Sequence, residues 1–324
     1  MLHRRSLLML GASSILIKGT AMPTDAEPSI MSTAGNAQPP MTPTEQLMYS
    51  TVRLHYTEAG RTSWGTGFVY YFFKSGEAAV PAIVTNRHVI AGMKTCSFSL
   101  ASLNNDGTPN PSSHIPVTIQ NFEKLWIAHP SVDLAIFPLA GVLNELNAAS
   151  KRPFIVHVDQ SLIPTSAGFK ELTPVEQVLT IGFPGQVRDD FHNLPVFHRG
   201  YTATAPYIDF KGKSEFLIDF STWPGASGSM VLLYNDQGWV DRQGNSMLGG
   251  FRLKLIGVVY GVATQDVSGN VFIQNGPTSL AGLGQMSVPT NLGACIRASR
   301  ILEFEQLLIS RGSSPPQGYQ MRAD

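Results

Sequence analysis

Residues 82–92 read AIVTNRHVIAG: an apolar run that ends in Thr85, Asn86 and Arg87, with His88 just past its end and Gly92 soon after. β-branched residues favour extended backbone, and Asn and Gly mark turns. The stretch therefore predicts a strand running into a loop, with His88 at the junction. The same punctuation recurs on both sides. LMYSTVRLHY, GTGFVYYFF, VPAIVTN, KTCSFSL, IPVTIQNF and VDLAIFPL make a first series. EQVLTIGF, PVFHRGYTA, SEFLIDF, SMVLLYN, LKLIGVVYGV and NVFIQN make a second, after a loop-rich connector from about 141 to 174. Helical apolar periods are scarce in both. The pattern predicts an all-β protein of two six-stranded antiparallel β-barrels in tandem, over 45–145 and 146–290.

The chain has 324 residues, 43% of them hydrophobic, and a formal net charge of zero. That is enough apolar material for real cores. With no Lys/Arg run there is no electrostatic footprint for nucleic acid. Residues 1–21 read as an export signal: Arg4 and Arg5, an apolar run from Ser6 to Ile17, then small residues around Gly19 and Ala21. The paired arginines resemble a bacterial twin-arginine signal, which predicts a periplasmic or secreted protein. The run is too short to serve as a stable membrane anchor. Residues 22–44, rich in Pro, Ala and Thr, read as a flexible linker, with ordered structure from Glu45.

At the other end, Leu292, Ile296, Leu302, Leu308 and Ile309 fall near helical spacing. A helix is expected over 291–311, with Asn291 as N-cap, Gly312 as stop and a disordered tail to residue 324. Cys96 and Cys295 are the two cysteines. They match no zinc pattern, and one disulfide or two buried thiols both remain open.

Chemistry concentrates in three places. In WPGASGSMV, residues 223–231, Ser227 lies between two glycines just before an apolar run. A serine hydroxyl is a weak nucleophile and needs a base within hydrogen-bond reach, itself oriented by a third group. His88 supplies a base. Asp133 interrupts the apolar VDLAIFPL, where a carboxylate without a partner would be costly to bury, and supplies an acceptor for a ring N–H. Each alone has an ordinary structural reading, as a turn serine, a structural histidine and a strand-end aspartate.

Together, and in the order His, Asp, Ser, they resemble the trypsin/chymotrypsin-like serine peptidases, specifically the bacterial trypsin-like peptidase domains. GTGFVYYF, IVTNRHVIAG, DLAIFPL, LTIGFPG, PGASGSMV and LIGVVYG carry the resemblance, across roughly residues 48 to 275. It implies two six-stranded barrels with a catalytic cleft between them, which agrees with the strand count. It implies Ser227 as nucleophile, His88 as general base and acid, and Asp133 as the group that orients the imidazole. It also implies an oxyanion hole from the N–H groups of Gly225 and Ser227, a primary pocket floored by Ser221 and Thr222, and a protein or peptide substrate. Neither pocket residue is charged, so cleavage after Lys or Arg is disfavoured. A C-terminal helix packed on the first barrel would bring Cys295 towards Cys96.

Some features depart from the family. Ala226 stands where the digestive members have an aspartate before the nucleophile, and no IVGG start occurs. Cys96 lies beyond His88 and does not provide the usual disulfide beside the catalytic histidine. No cofactor or metal is expected. The residues His192, His198, Asp189 and Asp190 lack a His-Glu-x-x-His motif and read as a solvated loop. GFPGQV lacks the Gly-Lys-Ser/Thr ending of a phosphate loop and reads as a turn. An α/β-hydrolase would need glycine where Ser229 stands, and the order Ser, acid, His. The remaining alternative is a catalytically idle binding protein on a peptidase scaffold.

Overall fold

The computed structural model describes residues 13–14, 41–58, 61–76, 78–183, 189–220, 225–271 and 282–322. The export segment, apart from Ser13 and Ser14, and nearly all of the linker lie outside these. Order begins before Glu45. Thr42 caps helix α1 (Pro43–Met48), its hydroxyl accepting from the Glu45 N–H while Glu45 Oε2 takes the Thr42 N–H at 2.6 Å. This reciprocal cap overrides the strand expected at Leu47 and Met48.

The first half is a sheet of β1 (Thr51–Glu58), β2 (Arg61–Ser75), β3 (Ala78–Thr85), β4 (Thr95–Leu103), β5 (Pro109–Gln120), β6 (Ile127–Ala128) and β7 (Ala135–Pro138), with a short β8 (Pro153–Phe154) on β4. Its order is β5-β4-β1-β2-β3-β7-β6. The expected closed barrel is instead an open eight-stranded sheet. Its two edges, β5 and β6, are consecutive in the chain and joined through a 3₁₀ turn at Phe122–Lys124. That connection, and not a hydrogen-bonded ladder, links the two edges. The sheet still wraps one core, in which Leu54, Val69, Ile83, Phe98, Val117 and Phe137 meet. The connector expected as loop holds α3 (Ala140–Ala148) and α4 (Ser166–Lys170), the latter capped by Thr165.

The second half closes. Strands β9 (Gln177–Gly182), β10 (Val196–Thr202), β11 (Glu215–Asp219), β12 (Met230–Asn235), β13 (Arg252–Val271) and β14 (Gly282–Arg297) form a barrel in the order β9-β10-β11-β14-β13-β12. The sixth strand is not the run at 270–275, whose first two residues end β13 and whose remainder lies outside the described residues. It is β14, which occupies the first part of the expected C-terminal helix. Leu217 pairs with Ala294, and Val259 with Cys295. A Cβ on Gly293 would lie 2.4 Å from the Phe220 ring, so this close strand approach needs the glycine that weakens a helix. Helix begins only at α5 (Ser299–Leu302) and α6 (Phe304–Ser310), and Gly312 at φ +85° ends it.

Alternate residues of the barrel strands face two different cores. Val178, Phe216, Val231, Ile256 and Cys295 point into the barrel. Leu179, Leu232, Leu255, Val258 and Ile296 point outward, onto Phe68, Tyr70 and Phe72 of β2 and onto Phe304 and Leu308 of α6. Strands buried on both faces read as continuous apolar runs, which is why these segments show little alternation. The tail expected to be disordered is held. Tyr319 packs edge-on to Phe73 and donates to Glu305 at 2.5 Å, and Arg322 donates to the carbonyls of Gln160, Ile163 and Pro164.

Cys96 belongs to the core of the first sheet and Cys295 to the interior of the barrel; both are free and buried. Burial pushes the Cys96 thiol up to about 12 and also raises Cys295 well above the usual thiol range. Neither thiol should react with iodoacetamide under native conditions, and both should react after denaturation without reductant. Intact-mass analysis showing a two-proton deficit and no alkylation would contradict this.

Candidate active site

The ladder between β3 and β7 ends with Thr85 opposite Ala135. In an antiparallel pair, that places the residues following Thr85 beside those preceding Ala135. Asn86 is buried and extended, and its amide donates to the Asp133 carbonyl at 2.8 Å. One helical turn follows, α2 (Arg87–Ile90), packed through Val89 against Gly65 of β2. It presents His88 to Asp133 twice. The His88 backbone N–H reaches Asp133 Oδ1 at 3.0 Å, and ring Nδ1 lies 2.5 Å from Oδ2. With Asp133 ionised, that contact fixes the proton on Nδ1 and leaves Nε2 a free base. The His88 side chain is 48% exposed.

Ser227 arrives from the other half, in the loop before β12. Gly225 at φ +98° and Gly228 at φ +89° bracket it, in a backbone region that favours glycine. A Cβ on Gly228 would sit 1.8 Å from the Thr66 carbonyl oxygen, so no other residue fits there. Thr66 of β2 is the anchor. Its N–H donates to the Ser227 carbonyl at 2.9 Å. Its hydroxyl donates to the Gly225 carbonyl and accepts the Phe183 N–H, both at 2.9 Å. Its own carbonyl accepts the Thr85 hydroxyl at 2.7 Å, one residue before Asn86. Thr66 and Thr85 are fully buried. One short network thus ties the serine loop to the strand end that carries His88.

The Ser227 hydroxyl donates to the Tyr260 carbonyl at 3.4 Å, and no hydrogen bond joins it to His88. Among the described residues, the N–H groups of Gly225 and Ser227 have no hydrogen-bond partner. The Tyr260 phenol donates to Glu215 at 2.8 Å; burial and that bond raise it above the usual tyrosine range. Ser221 and Thr222 lie outside the described residues. Asp189 caps its own loop, taking the His192 backbone N–H at 2.9 Å and ring nitrogen at 2.7 Å, and the first of these bonds holds its carboxyl below the usual value.

Residues 65–240, more than half of the chain, match the trypsin-like peptidase domain family. The chain belongs to that family. No curated protein matches the sequence. Solved structures to which the chain is similar include a serine endoprotease from Yersinia pestis, 15% identical, covering 83% of this chain and 66% of that one at a TM-score of 0.41. They also include the tobacco etch virus protease in complex with product, 14% identical, covering 89% and 88% at a TM-score of 0.44.

In GTGFV, the role of Thr66 in this peptidase is not marked by residue type. The signal available was a threonine between two glycines whose neighbours leave room for another chain segment. Thr66→Val keeps the shape and strands two buried partners, so it should lower stability by roughly 1–3 kcal/mol in chemical denaturation. Thr66→Ser should stay nearer the wild type. An unchanged midpoint in Thr66→Val would contradict the anchor.

Proposed function

We propose that this trypsin-like peptidase is a serine endopeptidase that works through an acyl-enzyme, with Ser227, His88 and Asp133 as its triad. The observation that carries the reading is the double contact of Asp133 with His88, on a strand end tied through Thr85 and Thr66 to the Ser227 loop. His88 Nε2 takes the Ser227 proton as the oxygen attacks the scissile carbonyl, then returns it to the leaving amine. Asp133 holds the tautomer and stabilises the imidazolium. The Ser227 hydroxyl rests on the Tyr260 carbonyl, and engagement with His88 accompanies substrate binding, as catalytic hydrogen bonds tighten in the complex. The N–H groups of Gly225 and Ser227 donate to the oxyanion, worth about 3–4 kcal/mol for a single donor in a comparable enzyme. No helix among the described residues is long and apolar enough to cross a membrane. Export through the Arg4-Arg5 signal, and a pocket at Ser221 and Thr222 that disfavours basic side chains, complete the proposal.

Removing a triad member should cost orders of magnitude, and removing two little more, because they act as a unit. Ser227→Ala and His88→Ala should each lower kcat for an internally quenched peptide by at least roughly 10³-fold. The double variant should lie within about tenfold of either. Hydrolysis unchanged in Ser227→Ala would overturn the mechanism.

Ala226 packs in the barrel core, where the digestive relatives carry the aspartate that receives a newly cut amino terminus. An alanine side chain offers no charge for such a pair. Protein expressed from about residue 40 with an N-terminal tag should therefore be active as purified. Activity that emerged only after a defined internal cleavage would contradict this.

A further inference from the structure

The loop that carries Asp133 is built around a second histidine. The His129 N–H donates to the Leu134 carbonyl at 2.9 Å, closing residues 129–134 into a tight loop. Inside it, His129 Nδ1 accepts the N–H groups of Ser131 and Val132, each at 3.2 Å. A ring nitrogen that accepts carries no proton, so the ring proton is on Nε2. That nitrogen donates to Glu303 at 3.1 Å, and the imidazole is fully buried. The Phe304 ring stands edge-on at 5.3 Å. Arg300 bridges the same two partners, donating to Ser131 Oγ at 2.5 Å and pairing with Glu303 at 2.7 Å. The partners of the His129 ring outside the loop, Glu303 and Phe304, come from the α5–α6 segment, beyond the last barrel strand.

We propose that His129, fixed by Glu303, is a positioning residue for the peptidase reaction. It sets the backbone at Val132 so that the adjacent Asp133 carboxylate meets both the ring and the backbone N–H of His88. The inference rests on the reading of Asp133 as the triad acid. Two consecutive backbone donors converge on one buried acceptor. Without it, Ser131 and Val132 would turn to find water and carry Asp133 with them. The two histidines are thus held as opposite tautomers, His88 protonated on Nδ1 and His129 on Nε2. Burial keeps His129 below the ordinary histidine range, with Glu303 opposing and Arg300 reinforcing, which preserves Nδ1 as an acceptor. The C-terminal segment so becomes part of the catalytic apparatus without touching substrate.

The test is steady-state hydrolysis by the full chain. His129→Leu should lower kcat by roughly 10- to 100-fold, with KM within about threefold. His129→Asn, which keeps an acceptor near the Nδ1 position, should recover most of the loss. Glu303→Ala, at a partly exposed site, should act in the same direction as His129→Leu and serves where His129→Leu does not fold. In an Asp133→Asn background, either change should add less than about threefold, because the brace acts through Asp133. Equal losses in both backgrounds, or unchanged kcat in folded His129→Leu and Glu303→Ala, would overturn the proposal. If Asp133→Asn itself left kcat unchanged, the triad reading would fall and the brace with it. A large Asp133→Asn loss beside a silent His129→Leu would remove the brace alone.

Discussion

A single buried hydroxyl, that of Thr66, binds the Ser227 loop of the barrel to the sheet that holds His88 and Asp133. It accepts the Phe183 N–H and donates to the Gly225 carbonyl, while the Thr66 backbone holds Ser227 and Thr85 on either side. Hydrogen bonds between two halves are specific where apolar packing alone is not, because a buried donor or acceptor left unpaired is costly. The Thr66 network sits at the edge of a shared apolar seam in which Phe68, Tyr70 and Phe72 meet Leu179, Leu232 and Val258. The seam supplies adhesion. Thr66 supplies register, and with it the position of the serine relative to the base.

The seam also explains how much of the fold was legible. Runs such as GTGFVYYFF and LKLIGVVYGV are apolar at nearly every position because both faces are buried, and β-branching with flanking turn residues still marked them as strands. The closed barrel follows from such runs. The openness of the first sheet does not, since it depends on where a chain connection replaces a ladder between β5 and β6. The strand in place of the expected C-terminal helix has a similar origin. Leu292 and Ile296 fit a helical period, and only pairing with β11 and β13 makes them strand. The capping box at Thr42 and Glu45 was readable in the sequence, whereas the docking of Tyr319 and Arg322 was not, because lone polar contacts leave no periodic trace.

At the site, residue type and order singled out Ser227, His88 and Asp133, because a serine hydroxyl needs a base and a histidine base needs an orienting acceptor. The supporting residues were silent. Thr66, Asn86, His129 and Glu303 form bonds with residues far away in the chain, and nothing local distinguishes a threonine that anchors a loop from one that merely lines a strand. The resulting site is asymmetric. His88 and Asp133 are bonded to each other beside the first sheet, while Ser227 is delivered by the second half and its hydroxyl rests on the Tyr260 carbonyl. How these groups meet depends on how firmly the seam holds the two halves together.

The claim that these groups form a working nucleophile is tested most directly by labelling the full chain with a fluorophosphonate and mapping the adduct by mass spectrometry. A single adduct on Ser227, lost in Ser227→Ala and strongly slowed in His88→Ala, is the predicted result. A folded protein that took up no probe at Ser227 would instead be the idle scaffold, and the account of its chemistry would be wrong.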